Sequence, residues 1–214
     1  QALTPAAAHY AAASVAQGAS VLADRDQLAR SIRPPRNPVA DEARRQALER
    51  AVDSEVALLP AGGVEAAAAR TVDHIRGLLG RWSAGSCALT VDEAATVLVG
   101  LRVKAARDEA ATLALESEPD TLLALLVELA RHADQDVAAP ICTVVAWVAQ
   151  FRGHGALANV AVERALTCEP GYELAVLIDE GLSRMASPRE VRRLTRQVRD
   201  NLRRSATGKR QQAG

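Results

Sequence analysis

Aromatic residues are almost absent from this 214-residue chain. The complete set is Tyr10, Trp82, Trp147, Phe151 and Tyr172. Proteins that stack the bases of single-stranded nucleic acid need exposed rings, and large ligand pockets usually contain them as well. Because all five rings can be buried in a helical core, the composition disfavours both kinds of site.

Cysteine is also scarce, and the three thiols follow no metal or disulfide pattern. Cys87, Cys142 and Cys168 are odd in number and far apart in the sequence, which fits neither a disulfide framework nor a zinc motif. Each lies among small or aliphatic residues, so we expect buried side chains that behave as small hydrophobes. This usage indicates a reducing compartment and a cytoplasmic location.

Long apolar runs are missing too. A transmembrane helix needs about 18 or more consecutive apolar residues, and no stretch approaches that length. The chain begins at Gln1 without an initiator methionine and shows no signal peptide. We therefore expect no transmembrane segment, and we expect that the chain is either a fragment or a processed form of a longer protein.

No motif of catalysis or cofactor binding is present. Phosphate loops, nucleophile elbows and zinc motifs are absent from the sequence. His132, Asp134 and Asp136 come nearest to a ligand cluster, but they fall at a predicted helix end, where such charges are ordinary. We therefore predict a protein that is not an enzyme and has no cofactor or metal. The least favoured of the functional hypotheses is an enzyme whose catalytic residues lie in the missing N-terminal part.

Alanine, leucine, arginine and glutamate, all strong helix formers, dominate the chain. Helix-start signals recur along it, including a capping box; they are Thr4-Pro5, Asn37-Pro38, Thr90 with Glu93, Pro140 and Ser187-Pro188. No stretch alternates with period two. The sequence predicts an all-α fold, an irregular stack of antiparallel helical hairpins.

Helix breaks at proline and glycine residues divide the chain into three parts. Residues 1–36 are predicted to hold N-terminal helices and a linker, and residues 37–186 to form a helical core domain. Residues 187–214 are predicted to form a basic helix and a disordered tail that begins at Ser205.

Residues 139–172 are interpreted as one helix–turn–helix unit of the tetratricopeptide type. Gly153 lies in the turn and Pro170 closes the second helix. Ala158 and Ala165 are seven residues apart, so they share a face and let the partner helix approach closely. Residues that depart from the repeat pattern are Cys142, Ala146, Ala149 and Val162. The sequence therefore predicts a single tetratricopeptide-like hairpin and no regular array.

The stretch 141–182 also resembles a known family. The pair Ala146-Trp147, the run 153–166 and the turn 169–172 look like the C-terminal part of the actinobacterial domain-of-unknown-function family 4192. The run 11–29 looks like the middle region of that family. The resemblance implies that the N-terminal segment of the family is missing here, and it implies no activity and no catalytic residue.

Charge is concentrated at the C-terminal end of a chain whose formal net charge is zero. Residues 184–214 contain nine arginines and one lysine against Glu190 and Asp200, a net charge of +8, which leaves −8 for residues 1–183. The last helix is predicted to bury an apolar stripe made of Val191, Leu194, Val198 and Leu202. The arginines around this stripe are Arg192, Arg193, Arg196, Arg199, Arg203 and Arg204.

Two interpretations of this arginine-rich helix remain open. The helix either docks on the acidic remainder of the chain or offers its arginines to the phosphates of nucleic acid or anionic lipid. The first functional hypothesis is a non-enzymatic helical scaffold that binds a protein or peptide partner, a homo-oligomer included. The alternative is a nucleic-acid-associated protein that contacts phosphates through the C-terminal arginines.

Overall fold

The computed structural model describes residues 25–58, 62–86 and 88–212, without the side chains of 206–212. Within these ranges the chain forms ten α-helices and no strand, which confirms the all-α prediction. The helices are α1 (Arg25–Ser31), α2 (Pro38–Leu58), α3 (Gly63–Ser83), α4 (Val91–Gly100), α5 (Lys104–Thr112), α6 (Pro119–His132), α7 (Gln135–Arg152), α8 (Gly155–Cys168), α9 (Glu173–Ser183) and α10 (Pro188–Gln212). The helix predicted after Thr4-Pro5 lies outside the described residues.

Three of the predicted start signals act as helix caps, those at Asn37, Thr90 and Ser187. The Asn37 side chain accepts hydrogen bonds from the backbone N–H groups of Val39 (3.1 Å) and Ala40 (3.3 Å). Thr90 and Glu93 form a reciprocal capping box at the start of α4. These bonds satisfy N–H groups that a helix leaves without a partner in its first turn.

The capping box makes part of the stability depend on pH. The backbone N–H of Thr90 donates to the Glu93 carboxylate (2.9 Å) and, together with the Arg81 guanidinium, lowers the pKa of Glu93 from 4.5 to about 2. A carboxyl group whose pKa is lower in the folded state stabilises the fold above its unfolded pKa, and this contribution disappears as the pH falls through the folded pKa.

We expect Glu93→Gln to lower the free energy of unfolding at pH 7 by about 2–3 kcal/mol. The difference in the free energy of unfolding between the variant and the unsubstituted chain should become smaller below pH 4.5 and vanish near pH 2. Urea denaturation across this pH range measures it. Asp53→Asn, at an exposed position of α2, provides the control substitution. A constant difference between the two curves from pH 7 to pH 2 would contradict the expectation.

Helix α7 is the centre of the core. Thirteen of its eighteen residues are buried, and it contacts α4, α5, α6, α8, α9 and α10. Helix α6 packs beside α7 and buries an almost continuous leucine-rich surface. A helix that is apolar on nearly all sides is typical of the interior of a larger helical domain.

The structure corrects the predicted start of α7. The helix begins at Gln135, so Pro140 lies inside it and does not open it. Proline in a helix interior removes one backbone hydrogen bond. The flanking Val137 and Ile141 are buried, and the burial of this apolar segment offsets the lost bond.

Helix α10 extends to Gln212. It therefore continues past Ser205, the residue at which the sequence predicts a disordered tail to begin.

The guanidinium of Arg164, a residue of α8, is buried and donates hydrogen bonds to backbone carbonyl groups. The residue is 5% exposed, and its guanidinium donates to the carbonyl oxygens of Ile32, Ala130 (2.8 Å) and Ala133 (2.5 Å). The second and third carbonyls belong to the C-terminal end of α6, whose dipole favours a cation. Arg164 thereby joins the segment that follows α1 to the end of α6.

Helices α3 and α4 approach each other closely at Gly100. A Cβ atom at this position would overlap Oγ1 of Thr71 and lie 2.7 Å from its Cγ2. The absence of a side chain at Gly100 therefore sets the distance between the two helices.

Helix α2 is long but covers little of the core. Of its 21 residues, only Arg44 and Ala47 are buried. Arg44 pairs with Asp41 and, across the structure, with Asp134 at 3.2 Å. Helix α2 packs chiefly on α4, so most of its surface faces outward.

Candidate functional site: a groove between α9 and α10

The C-terminal helix α10 lies on α5 and α7, but one predicted contact residue is wrong. Leu194 is 40% exposed, and Thr195 is fully buried in its place. The Thr195 hydroxyl accepts a hydrogen bond from Trp147 Nε1 (2.9 Å) and donates to the carbonyl oxygen of Val191 (2.7 Å). Because both bonds satisfy the hydroxyl, a polar residue takes the buried position.

Two of the six predicted arginines contact other parts of the fold. Arg192 lies over the Phe151 ring, 5.4 Å from its centroid, and its Nε donates to the Phe151 carbonyl oxygen (3.1 Å). Arg203 pairs with Glu116 at 3.7 Å. These contacts support the docked interpretation of α10.

The other four arginines differ in their exposure and in their partners. Arg199 is half-buried and lies 3.8 Å from the carboxylate of the next residue in α10. Arg204 donates within the same helix. Arg193 and Arg196 are exposed. Phosphate binding by the six arginines therefore stays a prediction.

A cavity of about 200 Å³ opens between α9 and α10, above α5 and α7. Trp147 and Val144 of α7 contribute to its lining, together with Leu174 and Leu177 of α9 and Val198 of α10. Leu177 is 64% exposed, so the apolar surface continues outward from the cavity. We call this feature the α9–α10 groove.

A buried arginine lines the groove beside these apolar side chains. Arg107 is 8% exposed, and its Nε and Nη2 donate to Asp108 Oδ1 at 2.9 and 2.6 Å. Its Nη1 donates to the Tyr172 hydroxyl at 2.8 Å, and the guanidinium lies over the Tyr172 ring. Burial lowers the pKa of Arg107, but the bonds to Tyr172 and Asp108 outweigh this effect, so the group stays charged.

Two further charged residues lie at the edge of the groove, Lys104 and Glu173. Both are exposed, and neither has a hydrogen bond or an ion pair with any residue that the structure describes. Glu173 lies in the first turn of α9, where the helix dipole favours a carboxylate. Lys104 lies in the first turn of α5, where the same dipole disfavours a cation.

The histidine and acid cluster considered from the sequence does not assemble. Asp134 pairs with Arg44, and His132 lies 3.8 Å from Glu128. In the described ranges no three histidine, cysteine or acidic side chains are arranged to hold a metal ion.

A second polar cluster lies at the end of α7 and is an ion pair with a neighbouring histidine. Arg152 Nε donates to Asp120 at 2.6 Å, and His154 Nε2 lies 3.8 Å from the same carboxylate. Burial lowers the pKa of His154 in spite of Asp120. No nucleophile is recorded in contact with this cluster within the described part of the chain.

The two thiols in the described region differ in burial. Cys142 is fully buried, as predicted, and burial raises its pKa to about 11. Cys168 is only half-buried, and Cys87 lies outside the described residues. Because the thiolate is the reactive form, Cys142 is inert at neutral pH.

These features define an all-α protein with an apolar groove between two surface helices. None of the helices that the structure describes is long and apolar enough to cross a membrane. The profile of a family described as "Domain of unknown function (DUF4192)" matches residues 1–189, and the chain belongs to this family. No curated protein and no solved structure matches the chain.

Proposed function

We propose that the chain is a non-enzymatic helical scaffold that binds an α-helical segment of a protein partner in the α9–α10 groove. The observation that carries this proposal is a cavity with mostly apolar walls, one of whose lining side chains is large, apolar and exposed. This side chain is Leu177, which is 64% exposed. A groove between two helices accommodates a third helix that inserts its apolar side chains.

The hairpin below the groove supports this proposal. Helices α7 and α8 are joined by only two residues and pack along each other. Ala158 and Ala165 are fully buried, in agreement with a close helix crossing. A tetratricopeptide-like role for this hairpin, an actinobacterial source and a cytoplasmic location belong to the same proposal.

A pull-down with the whole chain as bait tests the scaffold function. We expect Leu177→Asp to remove the proteins that the unsubstituted chain retains, because a carboxylate at this position cannot be desolvated by an apolar partner. The matched control is Val39→Asp, which changes another exposed apolar residue on α2. Retention of the same proteins by both variants would contradict the proposal.

The alternative function, phosphate binding by α10, is favoured by the exposure of Arg193 and Arg196. Binding to duplex and single-stranded DNA should then weaken steeply with salt and disappear when residues 188–212 are deleted. No binding at low salt would exclude this function.

A further inference from the structure

We propose that the α9–α10 groove selects a partner helix with two features, a large aliphatic anchor side chain and a carboxylate within one helical turn of that anchor. This inference rests on the proposed function, since it specifies the partner of the same groove. Three observations carry it: the size of the cavity, the bonding of Arg107 and the position of Lys104.

The cavity has the size and rigidity to hold one side chain. A dry apolar cavity of about 150 Å³ binds benzene, and this cavity measures about 200 Å³. Trp147, one of its lining residues, is fixed by the bond from its Nε1 to Thr195. A leucine side chain therefore enters a site that is already formed, which lowers the entropic cost of binding.

Arg107 provides unused donors beside the apolar wall. A guanidinium has five N–H groups, and the three bonds to Asp108 and Tyr172 use three of them. Within the described residues nothing accepts from the other two. A carboxylate is the acceptor that a guanidinium binds most strongly.

Lys104 makes the rim more favourable for an anion. This cation lies at the positive end of the α5 dipole, and the first turn of α5 contains no acidic residue. Val103 before it provides no side-chain cap. A partner carboxylate near Lys104 would relieve this unfavourable placement.

The two acidic residues of the rim are already stabilised. Asp108 accepts two bonds from Arg107, and Glu173 lies at the favourable end of α9. A partner that brings a negative charge to the groove is therefore favoured over one that brings a positive charge. On a helix, side chains three or four residues apart have Cβ atoms about 5–6 Å apart, so one helical face supplies both the anchor and the carboxylate.

The test uses phage-displayed helical peptides of eighteen residues that are randomised at five positions of one face. Peptides are selected separately on the whole chain, on Lys104→Glu and on Leu177→Asp. We expect the unsubstituted chain to enrich a leucine-like anchor with Asp or Glu three or four positions away. Lys104→Glu should instead enrich Lys or Arg at that position, and Leu177→Asp should enrich no anchor.

One selected peptide is then measured by calorimetry. Lys104→Gln should weaken its binding about two- to fivefold, as for an exposed ion pair, and Leu177→Asp should weaken it at least about tenfold, as for a central apolar contact. Val39→Asp is the matched control and should bind as the unsubstituted chain does. Circular dichroism verifies that all variants keep their helices.

The outcomes separate this inference from the proposed function. Peptides that depend on Leu177 but show the same acidic content on the unsubstituted chain and on Lys104→Glu would overturn the carboxylate requirement and leave the scaffold function standing. Peptides that bind Leu177→Asp equally well, or no enriched peptide at all, would overturn both. A preference for an acidic residue that inverts on Lys104→Glu would support both.

Discussion

Replacing Arg164 with methionine should lower the free energy of unfolding by about 3–5 kcal/mol, because each buried acceptor left without a donor costs about 1–3 kcal/mol. Methionine fills a similar volume but cannot donate to the carbonyl oxygens of Ile32, Ala130 and Ala133. The carbonyl oxygens of Ile32 and Ala133 would lose the bonds from the guanidinium while they stay buried, and that of Ala130 would keep only the bond from the Ala133 N–H (3.2 Å). Urea denaturation followed by circular dichroism measures the loss.

Two further substitutions show whether the loss comes from the carbonyl bonds. Arg164→Lys keeps the charge but lacks the planar, multiple donors of arginine, so it should recover only part of the stability. Arg45 is an exposed control that pairs with Glu42 and Glu49 on α2; for Arg45→Met we expect a change within about 0.5 kcal/mol. Equal effects at Arg164 and Arg45 would show that the buried bonds contribute nothing.

Gly100→Ala should also destabilise the fold strongly, by about 2–3 kcal/mol, because overpacking forces neighbouring atoms to move. The new methyl group would overlap the side chain of Thr71. That side chain cannot swing away freely, since its hydroxyl is buried and bonded to the Ala67 carbonyl oxygen (2.9 Å). Thermal denaturation at fixed pH gives the change.

Gly77 is the matched control, since a Cβ there would meet no atom within 4 Å. Gly77→Ala should stabilise the chain by about 0.5–1 kcal/mol, because alanine loses less backbone entropy than glycine in a helix. In addition, Thr71→Ala combined with Gly100→Ala should cost less than the sum of the single changes. A simple sum would show that the two residues do not compete for space.

Local signals predicted the helices well where a cap or a break is encoded by one or two residues. Asn37, Thr90 and Ser187 all stand at helix starts, because capping depends on side-chain chemistry close in sequence. The error at Pro140 has a tertiary cause. The five residues before it gain enough from packing in the core to continue the helix, and no local rule contains that gain.

The groove could not be predicted from the sequence in the same way. Its lining joins residues from Lys104 to Val198 on four helices, so no spacing in the chain marks it. The prediction of the six arginines depends only on the local sequence of the last helix. In the structure Arg192 and Arg203 contact other parts of the fold, and Arg193 and Arg196 are exposed to solvent. The sequence does not indicate that Thr195 is buried, because a polar residue is buried only when its hydrogen bonds are satisfied and its partner Trp147 is 48 residues away in sequence.

The shallow contact of α2 has a consequence for how the molecule opens. Native proteins unfold in parts, and segments with few buried apolar contacts open at a lower free energy than the core. Helix α2 buries only Arg44 and Ala47, whereas α7 buries most of its length. We therefore expect the backbone amides of α2 to exchange through partial opening and those of α7 to exchange only through global unfolding. We also expect proteolysis to reach α2 while the core is still folded.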